Sequence, residues 1–162
     1  MPELRVAIAQ TNPTVGYIHG NVNRLLDYAE QAWSNGANVL LTGELALSGY
    51  PIEDLALRHD FLNRCRESVD WFAQELEARG LGDLVVLLGH PDGPYPPPQN
   101  QYNPAHPQQA YNSLSVIQHG SVKARYDKRH LPNYPVFDEF RTFVSGTGSL
   151  IVRIGDVDCG VV

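Results

Sequence analysis

The chain has 162 residues, 43% of them hydrophobic, which suits one globular domain or part of a larger one. A formal net charge of −6 argues against a nucleic-acid grip, which needs a basic face. No apolar run reaches the roughly 18 residues of a membrane span. Met1-Pro2-Glu3-Leu4-Arg5 lacks the layout of a signal peptide and two distant cysteines make no disulfide framework, so the cytoplasm is the expected location.

Residues 4–10 read as a buried first strand, broken by Asn12-Pro13 and Gly16. Val22, Leu25, Leu26, Ala29, Ala32 and Trp33 recur at helical spacing, predicting a helix that starts near Asn21 and stops at Gly36. Residues 38–41 are a short apolar strand that completes a βαβ unit. A second amphipathic helix carries Leu62, Cys65, Val69, Phe72 and Leu76 on one face, with Gly80 as its stop. Residues 84–88 form a third strand, apolar throughout, as expected where both sheet faces are covered. Residues 91–109 hold seven prolines and read as a loop insertion. Residues 111–118 and 121–127 predict a hairpin around His119-Gly120, and residues 151–154 and 157–162 a second around Gly155-Asp156. By this reading the chain ends within a strand, where a domain seldom stops because a severed sheet leaves unpaired edges. The expected fold class is α/β.

Two residues attract chemical interest. Glu44 lies just beyond the carboxyl end of a strand, where α/β sheets gather functional side chains, although an ordinary loop glutamate is the commoner occupant. Lys128 opens Lys128-Arg129-His130, which on charge alone is a solvated basic cluster. The rigid, aromatic-rich run from Leu131 to Phe137 that follows is of the kind that shapes pockets. Cys65 falls on the apolar face of the second helix and reads as a structural thiol. Cys159, beside Asp158 and Gly160, is the tempting nucleophile. The six histidines show no metal-ligand spacing, and no phosphate-binding glycine motif or Gly-x-Ser-x-Gly occurs. The residues alone support an α/β chain with an unproven acid–base pair.

These residues carry a resemblance that runs along essentially the whole chain. Arg5–Gln10, Glu44–Pro51 with Glu53-Asp54-Leu55, and Tyr111-Asn112-Ser113 all contribute. The most specific part is Lys128-x-His130-Leu131-Pro132-Asn133-Tyr134, leading to Val136-Phe137-Asp138-Glu139 and Arg141-x-Phe143. The pattern resembles the nitrilase, or carbon–nitrogen hydrolase, superfamily. Within it, the chain is most similar to the glutaminase branch that supplies ammonia for the ATP-dependent amidation of deamido-NAD to NAD+.

The resemblance implies the N-terminal part of an αββα four-layer sandwich. It implies Glu44 as general base, Lys128 as the cation at the oxyanion, Glu139 as the partner that positions the lysine, and Tyr134 and Tyr50 as contacts to glutamine. It implies no cofactor or metal in this domain, ATP and Mg2+ in a synthetase domain in cis outside these residues, and a homo-oligomer when intact, with no nucleic-acid or membrane partner. The sequence departs from the family pattern at Thr42-Gly43, where a proline is usual before the glutamate, at Pro135 and at Thr142. Aligned on Gly160-Val161-Val162, the family's nucleophilic cysteine would come just after Val162, and Cys159 is too early in its strand to replace it. The expected consequence is a fragment that is inactive and poorly stable alone. The alternatives are a stand-alone amidase of the same superfamily, or a truncated product without catalysis.

Overall fold

The computed structural model describes residues 3–95, 99, 109–134 and 137–162. Five strands form one sheet in sequential order: β1 (Val6–Ala9), β2 (Val39–Thr42), β3 (Val85–Tyr95), β4 (Gln109–Gln118) and β5 (Ser121–Asp127). The first three run parallel, joined by crossovers through α1 (Ile18–Ser34) and α2 (His59–Ala78), whereas β3, β4 and β5 are antiparallel. Both helices pack on the same face. Leu25, Leu26 and Ala29 of α1 and Leu62, Phe72 and Leu76 of α2 meet Leu40, Val86, Leu88 and Ile117 of the sheet in one apolar core. A second hairpin, β6 (Leu150–Ile154) with β7 (Val157–Val161), supplies Ile154 against Val39, Val85 and Val116 on the opposite face.

Both predicted hairpins form. His119 and Gly120 have φ of 46° and 69°, the paired left-handed conformation whose twist suits a tight two-residue hairpin. Three expectations change. The first strand is not buried throughout: Val6 and Ile8 are 46% and 67% exposed on β1, which is an edge strand of the sheet. Trp33 is 39% exposed on the flank of α1, off the apolar stripe. The first helix begins at Ile18, not Asn21, and Asn21 is buried within its first turn.

The third strand extends well beyond Leu88. β2 pairs with β3 only as far as Leu87, so beyond it, among the described residues, that edge of β3 has no strand beside it, and the turn after β2 bonds it only at Gly89, while the other edge continues to pair with β4. A proline, which lacks an N–H, is tolerated on such an edge, and Pro91 sits in register with Asn112. The strand therefore enters the first part of the predicted loop insertion, of which residues 96–98 and 100–108 lie outside the described residues. No helix among the described residues is long and apolar enough to cross a membrane.

Candidate active site

Glu44 follows β2 on a turn that is fixed from several sides. Leu45, Ala46, Leu47 and Ser48 are all buried, so the turn is anchored by its own apolar side chains. The Thr42 hydroxyl donates to Leu87 O at 3.1 Å and accepts from Gly89 N at 3.0 Å. From α1, the Asn21 carboxamide donates to Leu47 O at 3.0 Å and to Thr14 O at 2.8 Å.

Gly89 is essential to this approach. A Cβ there would lie 2.4 Å from Gly43 O and 2.9 Å from Leu45 N, both backbone atoms. Gly89→Ala is therefore expected to push the Glu44 turn off β3 and lower stability by about 1–3 kcal/mol, the usual cost of overpacking. Urea denaturation checks this, and an unchanged midpoint would show that the turn yields without loss.

Lys128 directly follows β5, and its backbone is clamped on both sides. Its N–H donates to Asn112 O at 2.8 Å and its carbonyl accepts from Gly146 N at 2.9 Å. The side chain reaches across the open end of the sheet, where Nζ lies 2.7 Å from Glu44 Oε1 and 3.1 and 3.3 Å from Glu139 Oε2 and Oε1. Glu139 is 2% exposed on a 3₁₀ turn, Glu139–Arg141, and also accepts from the Tyr50 hydroxyl at 3.0 Å. Behind it, Arg141 pairs with Glu53 and Asp54, tying this turn to the segment after Pro51.

The electrostatics follow from these contacts. Burial works against the charge of Lys128, yet hydrogen bonds to Glu44 and Glu139 outweigh it and hold the ammonium pKa above its ordinary value. Lys128 is thus a fixed cation. Burial, then the hydrogen bond to Glu139, pushes the Tyr50 phenol up, so its O–H remains a donor.

A cavity of about 370 Å³ opens beside the pair, lined in part by Glu44, Asn112, Lys128, His130, Val161 and Val162. Neither cysteine is on its wall. Cys65 is fully buried on α2, and burial pushes its thiol up to about 12. Cys159 packs against the second apolar cluster, two residues before Val161. Among the described residues no group of three or more His, Cys, Asp or Glu could hold a metal ion.

The structure thus brings Glu44, Lys128, Glu139 and Tyr50 together. Tyr134 is 57% exposed and lies outside this cluster, although its ring meets Phe137 edge-on at 5.0 Å and Phe137 lies 6.4 Å from Tyr50. Sequence reasoning gave no role to Asn112, whose carboxamide donates to Glu44 Oε1 in a short hydrogen bond, or to Gly89, and read Asn21 only as a helix start. The signal for Asn112 was a buried amide on the same strand face as Leu114 and Val116.

A sheet flanked by helices, with a lysine between two glutamates at its open end, defines a class. The chain matches the carbon-nitrogen hydrolase family over residues 5–161 and belongs to it. Within that family it is similar to glutamine-dependent NAD(+) synthetases. It is 39% identical to that of Thermotoga maritima over 161 residues, which is 99% of this chain and 25% of the relative. With that of Synechocystis sp. it shares 35% identity over 96% of this chain and 26% of the relative. The chain spans about a quarter of the length of these curated relatives. The solved glutamine-dependent NAD+ synthetase from Acinetobacter baumannii superposes with a TM-score of 0.81 at 31% identity, covering 99% of this chain and 27% of that one. An amidase from Nesterenkonia sp. superposes with a TM-score of 0.73 at 21% identity, covering 97% and 54%, a likeness of fold.

Proposed function

We propose that this chain builds the base-and-lysine side of a glutamine-hydrolysing site, and that it does so within a glutamine-dependent NAD+ synthetase. The observation that carries this reading is Lys128 held between Glu44 and Glu139 on a cavity that has no thiol of this chain on its wall. Glu44 takes the proton of an incoming thiol, because a thiolate is the effective nucleophile toward an amide carbonyl. The thiolate attacks the side-chain carbonyl of glutamine, and the ammonium of Lys128 stabilises the oxyanion that forms. Glu44 then returns the proton to the leaving nitrogen, releasing ammonia and an acyl thioester. Water, activated by the same carboxylate, hydrolyses the thioester to glutamate.

The thiol in this scheme comes from outside the 162 residues. Cys65 is sealed in the core, and Cys159 lies roughly one strand repeat, about 7 Å, behind the wall residue Val161. Val161 and Val162 bring the end of β7 to the cavity beside Glu44 and Lys128, so a residue following them would enter the site. The similarity to glutamine-dependent synthetases supports glutamine as the amide, and ammonia transfer to an ATP-driven amidation as its destination.

The test is ammonia release from glutamine. The purified 162-residue chain is expected to release none above background, whereas a longer protein that continues past Val162 with a cysteine at the cavity is expected to turn over. Glutamine hydrolysis by the 162-residue chain itself would overturn the scheme.

A further inference from the structure

Resting on the reading of Glu44 as the base, the geometry points to Asn112 as a positioning residue that selects which oxygen of Glu44 takes the proton. Glu44 Oε1 accepts from two donors at once, Lys128 Nζ at 2.7 Å and the Asn112 carboxamide. Among the described residues none donates to Oε2, and Glu44 lines the cavity. A carboxylate accepts only, so the Asn112 amide must present Nδ2 rather than its oxygen. With Oε1 occupied by two donors, its electron density is committed, and Oε2 is the oxygen left to receive a proton from the cavity side.

Asn112 is well built for this. It is buried on β4, where Leu114 and Val116 on the same face belong to the second apolar cluster. An amide at such a position is costly unless it is bonded. Its own carbonyl accepts the Lys128 N–H at 2.8 Å, so one residue fixes the backbone of the lysine and the rotation of the glutamate. The other charged and titratable groups near Glu44 are Lys128, Glu139 and Tyr50 behind it, and Tyr126 and His130 on the cavity wall. None of these donates to Oε1 in place of Asn112 except Lys128 itself.

The inference is tested in the longer protein that supplies the thiol, by kcat and KM for glutamine hydrolysis in Asn112→Ala, Asn112→Asp and Glu44→Gln. Asn112→Ala is expected to lower kcat about tenfold with KM within about twofold, because a group acting on the base affects the chemical step more than substrate binding. Asn112→Asp, close to isosteric but unable as a carboxylate to donate to Glu44 Oε1, is expected to lower kcat at least as much. If both variants keep the wild-type kcat while Glu44→Gln is inactive, Asn112 does not position the base and this inference fails alone. If Glu44→Gln stays active, the assignment of the base has failed and this inference with it.

Discussion

Glu44→Gln is expected to lower glutamine hydrolysis by about 10²–10⁴-fold, the usual contribution of a positioned general base, while leaving the fold intact. The substitution is close to isosteric, and its carboxamide oxygen can still accept from Lys128 and Asn112 in place of Oε1. The turn itself is held elsewhere, by the buried side chains from Leu45 to Ser48, by Thr42 and by Asn21, so losing one carboxylate charge does not release it. What disappears is proton acceptance, because an amide cannot take a thiol proton at neutral pH. The loss should fall on kcat, with KM little changed, since the lost interaction belongs to the chemical step. Lys128→Met would be a less clean experiment. It removes the cation proposed to hold the oxyanion, and it also leaves Glu44 and the buried Glu139 facing each other with no charge between them. A Glu44→Gln enzyme within tenfold of the wild-type rate would show that another group is the base.

What could be read in advance and what could not have separate physical causes. The two hairpins and the two amphipathic helices are local: turn residues at His119-Gly120 and Gly155-Asp156, and apolar positions at helical spacing, announce them within a few residues. The long third strand was hidden because Pro91 punctuates it, and proline is acceptable there only because β2 stops pairing at Leu87, which no local window contains. Asn21 marked the expected start of the first helix, yet its carboxamide serves the chain at Thr14 and Leu47, the latter 26 positions away. The site followed the same division. Glu44, Lys128 and Glu139 stand in distinctive runs, so they were legible through resemblance. Asn112 and Gly89 matter because of what approaches them from distant segments: the Glu44 carboxylate in one case, the backbone from Gly43 to Leu45 in the other. An interior glycine in an apolar strand does signal close approach, but not by what.

Removing the carboxylate of Asp92 is expected to cost about 3 kcal/mol, the largest stability effect among the changes considered, although Asp92 lies away from the cavity. Its side chain is 7% exposed and sits between two guanidiniums, with Arg66 at 3.2 Å from Oδ1 and Arg125 on Oδ2. Oδ1 also accepts from Gly93 N at 2.8 Å. Taking one partner out of a buried ion pair typically costs about 3–5 kcal/mol, and both arginines reach solvent, which places the expectation for Asp92→Ala at the lower end. The network continues to the site, because Arg125 also bonds Asp127 at 3.1 Å and Asp127 immediately precedes Lys128. Loosening it should therefore blur the delivery of the lysine as well as lower the melting point. The pH dependence identifies the carboxylate as the cause. Burial works against its charge, but His90, the Gly93 amide, Arg125 and Arg66 outweigh it and hold its pKa below the ordinary 3.8. A carboxyl depressed in the folded state binds its proton more readily when unfolded, so its stabilisation is full above the ordinary value and lost as pH falls through the folded one. Urea melts of wild type and Asp92→Asn should differ most near neutrality and converge in acid below about pH 4. A gap that is negligible at pH 7, or one that persists undiminished in acid, would mean that the two arginines find other partners and that the strand leading to Lys128 is held by its apolar contacts alone.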